Sequence, residues 1–455
     1  MLTVLALAMI VLFIVLLSAK KLSVFASLTL VPLVFGLIAI AVTNHGIMDL
    51  FAWIEKGIYF SADPDTGKVS WGVISPAMTI LFSILYFDIM LGVGLFDPVA
   101  EFFIKKAKGD PLKVILSTVM VASVVAFNGD TTTTIIICIS AFISLYRQVD
   151  LELSYLAIVI VAPIGIWNML PWGGPTIASA TAQGVEINEL FAAILPGLLA
   201  AQVVVILLAA RLGFKERRRL NYTTAQGKGI SDESIQEMLK AVRDKDPELK
   251  RPKLFVFNLL LTLAALVLLI QGEIHGSIIF MLGSAIALVV NYRDVKLCSD
   301  RLEDLAPDVL PTAIITMGAG VFSGVLSGSG MANALANTIA SLIPTSLSTH
   351  MAPVYAVIAA PAICFLPQDA FYFGIASVLK DVMGQFGITP LQSAVASMVG
   401  QSFRLVSPVI PALYMLCGET KMNFVDFQKE YAINFGWVVL IVYLVVFGLT
   451  GMLPY

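Results

Sequence analysis

The sequence predicts an all-α polytopic membrane protein, and three observations support this fold class. Hydrophobic residues make up 58% of the 455 residues and charged residues only 13%. With a mean hydropathy of +0.91, the chain is too apolar for an ordinary soluble domain. Apolar stretches of about 17 to 25 residues, enough to cross a bilayer core, recur along nearly the whole sequence. The short alternating segments of a membrane β-barrel do not occur, so we expect bundled helices.

About ten transmembrane helices are predicted from these apolar stretches. They cover residues 3–18, 22–43, 73–95, 154–182, 190–210, 254–270, 276–291, 306–328, 389–417 and 432–453. Two further apolar stretches, about 111–146 and 351–379, are too long for one crossing and short for two. Both carry polar residues at their middles. We therefore expect each to form a re-entrant hairpin that enters and leaves the membrane by the same face.

The distribution of basic residues predicts the topology. With both hairpins re-entrant, 24 of the 28 Lys and Arg residues fall on one side of the membrane. Lys56, Lys68 and Lys380 fall on the other side. Basic residues accumulate in cytoplasmic loops. We therefore predict a multi-pass protein of a bacterial-type cytoplasmic (inner) membrane, with both termini outside.

The chain divides into two halves at residues 214–253, the one soluble-looking segment, which we expect to be a cytoplasmic linker. The halves, 1–213 and 254–455, carry a Gly-rich span end, a hairpin with a polar tip and a broken span in the same order. Matching residues lie at nearly constant separations: 236 for Gly94 and Gly330, 239 for Asp130 and Asp369, and 237 for Pro171 and Pro408. The charge-based topology opens the hairpins to opposite sides, so the repeats are inverted. Inverted repeats with interrupted helices indicate a secondary transporter with its site near the midplane.

Four ionisable residues lie deepest in apolar sequence: Asp88, Asp130, Asp369 and Arg404. Each costs several kcal/mol in a membrane unless it is paired or faces water, so a functional role is the default interpretation. A structural ion pair of Arg404 with an aspartate is the alternative. The planar guanidinium of Arg404 fits a carboxylate bidentately, which makes it our candidate for recognition of an anionic substrate.

The first hairpin tip and the first broken span are rich in groups that bind ligands. The tip, Asn128-Gly-Asp-Thr-Thr-Thr-Thr134, offers an amide, a carboxylate and four hydroxyls, which suit a cation or a hydroxylated carboxylate better than helix capping alone requires. The break at Pro171-Trp-Gly-Gly-Pro-Thr176 frees backbone groups at two half-helix ends. A proline kink is the competing explanation for this break. The scattered cysteines and histidines predict no resident metal site.

Several motifs resemble those of the citrate-metal:proton symporter family, CitMHS, within the ion transporter superfamily. The matching residues are Leu95-Phe-Asp-Pro98, Lys108-Gly-Asp-Pro-Leu-Lys113, Asn168-Met-Leu-Pro-Trp-Gly-Gly-Pro-Thr176, Leu326-Ser-Gly-Ser-Gly330 and Asp369-Ala-Phe-Tyr-Phe-Gly374. The resemblance covers essentially the whole chain. It implies transport of citrate, often as a complex with Mg²⁺ or another divalent cation, coupled to proton entry. It also implies a homodimer, with a scaffold domain and a mobile domain that carries both hairpins and works as an elevator.

The sequence departs from the family pattern at four positions. Asn128 replaces an acid, Thr131 replaces a glycine, Arg404 stands where a histidine is common, and Gly92 stands where we expect an acid one turn after Asp88. One negative charge is lost at the tip and a permanent positive charge is gained. A divalent metal is therefore needed less to neutralise the anion, and a free carboxylate smaller than citrate becomes a serious alternative.

The predicted substrate site combines residues of both repeats. It comprises Asn128, Asp130, Thr131, Thr132, Asn168, Gly173, Thr176, Gln368, Asp369, Gln401, Arg404 and Ser407. Protonation of Asp88, Asp130 or Asp369 is expected to supply the coupling, and Na⁺ is the competing coupling ion. No cofactor, catalytic residue or nucleic-acid partner is predicted. The exact carboxylate, the stoichiometry and the direction of transport stay open.

Two other classes of protein are weighed against a symporter. A passive anion channel fits the composition but builds no gradient. An intramembrane aspartyl protease is suggested by Tyr86-Phe-Asp88 and Phe127-Asn-Gly-Asp130. The protease motif, however, needs glycine where Phe127 stands, and a protease does not require an inverted repeat. We therefore expect a transporter and not an enzyme.

Overall fold

The computed structural model describes residues 1–62, 69–107, 110–129, 131–222 and 248–454, and these are mostly helical. The predicted all-helical class is confirmed, with one addition, a short antiparallel hairpin of β1 (Phe60–Ala62) and β2 (Val69–Trp71). The helices of the first half are α1 Leu2–Ser18, α2 Val24–Thr43, α3 Ile47–Ile58, α4 Ile74–Gly92, α5 Asp97–Ala107, α6 Pro111–Val125, α7 Thr131–Gln148, α8 Leu153–Trp167, α9 Gly174–Gln183 and α10 Ile187–Arg219.

From its helix Val295–Gly328 onward, the second half has the same order of elements as the first half has from α4 onward. Its helices are α11 Phe255–Gln271, α12 Gly276–Asn291, α13 Val295–Gly328, α14 Met331–Leu342, α15 Met351–Phe365, α16 Ser377–Gln385, α17 Pro390–Val399, α18 Pro411–Glu419, α19 Phe424–Tyr431 and α20 Trp437–Leu449. Short 3₁₀ segments cover Ala126–Asn128, Pro252–Leu254, Thr345–His350 and Gly400–Val406, and π-helical segments cover Ala370–Ala376 and Ala432–Gly436.

Matching turns mark the two halves. Gly94 after α4 and Gly330 after α13 both have a positive φ, 81° and 77°. An amphipathic helix, α5 or α14, follows each of these glycines, and then a hairpin of two helices. The order of elements is therefore repeated, while the inverted orientation of the halves stays a prediction.

Both predicted hairpins form as two helical arms, with the 3₁₀ segment Ala126–Asn128 and Gly129 at the first tip and a break at Leu366 and Pro367 at the second. Their first arms, α6 and α15, have 15 residues each. At 1.5 Å per residue each arm is about 22 Å long, which is short of a bilayer core of roughly 30 Å. Their length therefore fits the predicted re-entrance. Six helices of the described chain are long and apolar enough to cross a membrane.

The structure contains both predicted span breaks and extends one predicted span. The predicted span 154–182 is two helices, α8 and α9, separated by residues 168–173, and the predicted span 389–417 is broken after Val406. Helix α10 continues to Arg219, so the predicted linker does not begin at residue 214. The amphipathic helices α3, α5 and α14 were not predicted, because their polar faces lower the average hydropathy on which spans are recognised.

The helices pack into two groups. The α13 group consists of α2, α3, α4, α11, α12 and α13, and the hairpin group consists of α6 to α10 and α15 to α20. Within the α13 group, α3 lies closely against α13, because a Cβ on Gly324 would lie 2.3 Å from the Trp53 carbonyl oxygen. Small residues permit this close approach of two helix backbones.

Candidate functional site

The first hairpin tip lies against the break between α8 and α9. The Asn168 side-chain Nδ2 donates to Thr131 Oγ1 at 2.8 Å. The Trp172 indole Nε1 donates to the Phe127 carbonyl oxygen at 2.7 Å. A Cβ on Gly129 would lie 3.2 Å from the Trp172 ring. Two side chains of the break therefore fix the position of the tip.

Two predicted site residues at this tip are not fully covered by the described structure. Asp130 lies outside the described residues, and for Asn128 only the backbone, at the end of the 3₁₀ segment, is described. Thr132 is exposed in the first turn of α7. The predicted roles of Asn128 and Asp130 therefore stay predictions.

The break itself depends on Gly173. A Cβ at this position would lie 1.8 Å from the Asn168 carbonyl oxygen, so no other residue fits without moving the backbone. Gly173 precedes the first residue of α9 in an extended conformation, with φ −76° and ψ 137°. Its amide donates to the Leu170 carbonyl at 2.8 Å. This tight turn sets the direction of α9, whose N-terminal end borders the break.

Two oxygens of the break are buried and make no hydrogen bond to a described residue. They are Asn168 Oδ1 and Thr176 Oγ1, and Thr176 is completely buried. Buried polar atoms normally have a partner, because leaving one without costs about 1–3 kcal/mol. These oxygens are therefore available to a bound ligand, ion or water.

The tip of the second hairpin, residues 366–369, lies next to the same break. A Cβ on Gly174 would lie 3.1 Å from Gln368 Nε2. Asp369 follows Gln368 at the start of the π-helical segment and is half-buried. Gln368 of the second half therefore lies against the N-terminal end of α9 in the first half.

Arg404 holds the other end of this tip. Its Nη1 donates to the carbonyl oxygens of Ile363 at 3.1 Å and Leu366 at 3.2 Å. These carbonyls lie at the C-terminal end of α15, where a cation is favoured. Asp369 and Arg404 attract each other electrostatically. Arg404 Nη2 and Nε make no hydrogen bond to a described residue, so this edge remains for an anion.

Gln401 and Ser407 are bound to neighbouring groups of the second half. Gln401 is buried, and its Nε2 donates to the Tyr372 hydroxyl at 2.9 Å. Ser407 Oγ accepts from the Val409 amide at 3.3 Å, in the break before α18. Both residues border Arg404 in sequence. The structure gives them supporting contacts, and their contact with substrate stays a prediction.

Asp88 lies on α4, beside the contact between the two helix groups. Its neighbour Phe87 stacks on Trp172 with ring centroids 3.6 Å apart. Phe127 packs against Trp167 at 4.7 Å. We did not predict roles for these aromatic residues, because single aromatic residues in apolar helices are indistinguishable from lipid-facing ones. In the sequence, only the position of Trp172 among the glycines and prolines of the break indicated a role for an aromatic residue.

A cavity of about 1090 Å³ lies between the two groups, at the end of α9 away from the break. Its walls include Lys56 of α3, Thr181 of α9, Lys380 of α16 and Thr389 before α17. Lys56 and Lys380 are on the side predicted to be external, so we call this the outer cavity.

Glu186 lies at the rim of the outer cavity, where it joins the two groups. Its carboxylate accepts from Ser75 Oγ at 3.3 Å and lies 3.5 Å from His275 Nε2. The hydrogen bond from His275 lowers the pKa of Glu186 below its usual value, against the opposing effect of burial. The first residues of α10 are thus bound to α4 and α12.

The predicted cytoplasmic end of α10 holds the base of the first hairpin. Arg217 Nε donates to Asp110 Oδ1 at 2.8 Å. Burial disfavours the ionised form of Asp110, but the hydrogen bond and charge of Arg217 outweigh this and lower the pKa of Asp110. Nearby, Arg219 Nη2 donates to the buried Glu216 at 2.7 Å, and Glu216 accepts from the Glu152 amide at 3.2 Å. These contacts explain why α10 extends beyond the membrane-spanning length.

Among the described residues, no group of three or more His, Cys, Asp and Glu side chains is placed to hold a metal ion. A divalent cation is therefore considered below only as part of the substrate.

Comparisons with known proteins identify the class of protein and then the family. Two solved structures share the fold. The YdaH transporter of Alcanivorax borkumensis has a TM-score of 0.58 and 14% identity, and the match covers 92% of this chain and 98% of that one. MtrF of Neisseria gonorrhoeae, from a class of antimetabolite efflux pumps, has a TM-score of 0.54 and 14% identity, and the match covers 91% of this chain and 94% of that one. The chain thus shares the fold of these two proteins.

Relatives from Bacillus subtilis (strain 168) are similar over nearly the full length. The citrate transporter is 33% identical, over 94% of both chains. The Mg(2+)/citrate complex secondary transporter is 32% identical, over 97% of this chain and 96% of its own. The uncharacterized transporter YraO is 32% identical over 99% of both. Residues 1–400 match the family model CitMHS, citrate transporter. The chain belongs to the CitMHS family, whose members are multi-pass membrane transporters and not enzymes.

Proposed function

We propose that this protein is a secondary active transporter that carries citrate or a related carboxylate, coupled to protons. The observation that carries the proposal is the meeting of both hairpin tips at the first break. Gln368 lies against Gly174, and Asn168 binds Thr131. Half-helix ends, unpartnered oxygens and a guanidinium edge converge there, as expected for a midplane site in a transporter with interrupted helices.

Substrate recognition is assigned to Arg404 and to the amide end of α9. Arg404 keeps Nη2 and Nε for a carboxylate, while its Nη1 is held by two backbone carbonyls. A guanidinium held in place loses less side-chain freedom on binding than a free one. The N-terminal end of α9 favours a second negative group. Two positive ends on opposite sides suit a molecule with more than one carboxylate.

The coupling ion is assigned to the aspartates around the site. Protonation of Asp369, Asp130 or Asp88 on loading would neutralise one negative charge as the anion binds. Asp369 lies close enough to Arg404 for the two to interact, so a bound carboxylate and Asp369 would compete for one cation. Sodium, bound by Thr176 and Asn168 oxygens, is the second candidate for the coupling ion.

A divalent cation is proposed as an optional companion of the substrate. The relationship to a Mg(2+)/citrate complex transporter favours a metal complex. Asn128 and Arg404, however, give this chain one fewer acid and one more cation than the family pattern. A free carboxylate is therefore also accommodated.

Alternating access by an elevator movement of the hairpin group against the α13 group is part of the proposal, as is a homodimer. The support is the division of the helices into two groups, with both hairpins in one of them. A passive anion channel that uses the same candidate site is the alternative function. An intramembrane protease is disfavoured by the family, which consists of transporters.

The test is uptake of labelled citrate into proteoliposomes under an inward proton gradient, with and without Mg²⁺, and with Na⁺ as the alternative driver. We expect accumulation above equilibrium that disappears when the gradient is dissipated. Smaller carboxylates are tested as competitors. Equilibration without accumulation would indicate a channel, and accumulation driven by Na⁺ alone would replace the proton by sodium. Absence of any carboxylate uptake would contradict the proposal.

A further inference from the structure

A row of polar side chains runs along one face of α17. Thr389, Ser393, Ser397 and Gln401 are separated by four residues each, which places them on the same face of a helix. Ser393, Ser397 and Gln401 are at most 1% exposed. We call these four residues the α17 polar row. Polar side chains on a membrane helix face the interior of the bundle and are retained there for packing or for function.

The α17 polar row contacts polar groups of the neighbouring helices α9 and α15. Ser397 Oγ is 2.9 Å from Ser179 Oγ of α9. Tyr355 is buried on α15, which packs against α17. Gln401 donates to the Tyr372 hydroxyl. Hydroxyl groups therefore follow one another through the interior of the hairpin group.

Several oxygens along this route make no hydrogen bond to a described residue. They are Ser393 Oγ, Tyr355 OH, Gln183 Oε1 and Thr181 Oγ1, all in residues at most 8% exposed. One such atom is tolerated at a cost of about 1–3 kcal/mol. Several on one helix interface indicate bound water, which typically makes about three hydrogen bonds to groups of this kind.

The two ends of the route lie at different functional places. At the outer end, Thr389 and Thr181 line the outer cavity, together with the charged Lys380, Glu186 and Glu189. At the inner end, Gln401 donates to the hydroxyl of Tyr372, which follows Asp369 by three residues in the same helical segment. From residue 389 to residue 401 the helix rises by about 18 Å. The α17 polar row thus connects external water with the aspartate at the candidate site.

We propose that the α17 polar row, with Tyr355 and Ser179, is the route by which external protons reach Asp369. This inference rests on the proposed proton-coupled transport. A hydronium ion in the outer cavity gives its proton to the first water or hydroxyl. The hydroxyls of Ser393, Ser397 and Tyr355 and the waters between them each accept one proton and donate another, and a water gives the last proton to the Asp369 carboxylate, which becomes neutral. Gln401 donates to the Tyr372 hydroxyl and orients this end of the route without relaying a proton. Arg404 has no acceptor atom, so it orients this end without relaying a proton.

The competing explanation is that these hydroxyls only pack helices together. Ser397 Oγ also donates to the Ala394 carbonyl within its own helix, at 2.6 Å, so part of its bonding is local. A packing role predicts loss of stability when the hydroxyls are removed. A proton route predicts loss of coupling while substrate still binds and crosses.

The test compares two modes of transport in proteoliposomes. One is citrate uptake driven by an inward proton gradient, and the other is exchange of labelled for unlabelled citrate at equal pH, which needs no net proton transfer. In Tyr355→Phe and Ser397→Ala we expect proton-driven uptake to fall by at least about tenfold. Exchange should stay within about twofold of wild type. Ser397→Thr, which keeps a hydroxyl, should retain uptake.

The matched control is Ser402→Ala. Ser402 is 2% exposed in the same segment, but its Oγ donates to the Val399 carbonyl at 2.9 Å and it lies off the row. Unchanged uptake in Tyr355→Phe and Ser397→Ala, or equal loss of uptake and exchange, would overturn the inference. If wild-type uptake does not respond to a proton gradient, the proposed coupling fails before any variant is compared. Size-exclusion profiles and citrate protection against thermal unfolding identify variants that do not fold.

Discussion

The two hairpins occupy matching places in the repeats but are held by different chemistry. The first tip is fixed by uncharged donors, Trp172 to a backbone carbonyl and Asn168 to Thr131. The second is fixed by a cation, Arg404, on the carbonyl end of α15. The repeated fold thus places neutral donors against the first tip and a guanidinium against the second. An anion that travels with a proton or a metal ion needs such a pair of unlike surfaces.

Among the substitutions that test this difference between the two tips, replacement of Arg404 should have the largest effect. In Arg404→Gln we expect citrate uptake to fall by about 100-fold or more, because both the carbonyl contacts and the carboxylate contact lose their charge. Arg404→Lys keeps the charge but not the planar fork. It should recover thermal stability in detergent while uptake remains at least about tenfold low. Equal activity of wild type and both variants would show that the second tip does not bind the anion.

Gly173 and Gly174 form a matched pair for the first break. A Cβ on Gly173 meets a backbone carbonyl at 1.8 Å, whereas one on Gly174 meets the end of the Gln368 side chain at 3.1 Å. We expect Gly173→Ala to destabilise the protein by about 3 kcal/mol or more and to abolish uptake. Gly174→Ala should cost at most about 1 kcal/mol, because Gln368 can rotate away. Thermal unfolding in detergent measures both, and similar values for the two variants would contradict the turn described here.

The Asn168–Thr131 hydrogen bond provides a smaller test. Asn168→Ala and Thr131→Val should each lower uptake by about tenfold, and the double variant should be little worse than either alone, with a coupling of about 1 kcal/mol. A double-mutant cycle on uptake rates measures this coupling. Fully additive losses would mean that the two side chains act on the substrate separately and not on each other.

The base of the first hairpin should show the smallest effect. The folded-state pKa of Asp110 lies below its unfolded value, near 3.9, so its contribution is present above about pH 4 and is lost as the pH falls through the folded pKa. Asp110→Asn should cost about 1 kcal/mol at pH 7 and less at pH 3. The control, Asp300→Asn on the exposed start of α13, should be neutral at both. An equal cost at both pH values would show that the Asp110 charge is not involved.

Much of this architecture was accessible from the sequence, and the parts that were not have physical reasons. Apolar length located the main helices, and polar middles located both hairpins. The family followed from the motifs, whereas the roles of the predicted site residues stay predictions. The hydrogen bonds from Arg404 Nη1 to two backbone carbonyls were not predictable, because they depend on where α15 ends in three dimensions. The same is true of the stacking of Trp172 on Phe87 and of the α17 polar row, whose serines look unremarkable one at a time.

The contact of Trp172 with Phe87 has a consequence for the proposed movement of the hairpin group. Two stacked rings attract each other without directional hydrogen bonds, so they can shift sideways while keeping most of their contact area. The hydrogen-bonded Glu186, Ser75 and His275 at the outer rim allow no such gradual displacement, because each bond must break before the groups separate. The activation enthalpy of transport would then be set mainly by a few polar atoms at the edge of the interface, and the aromatic middle would add little to it.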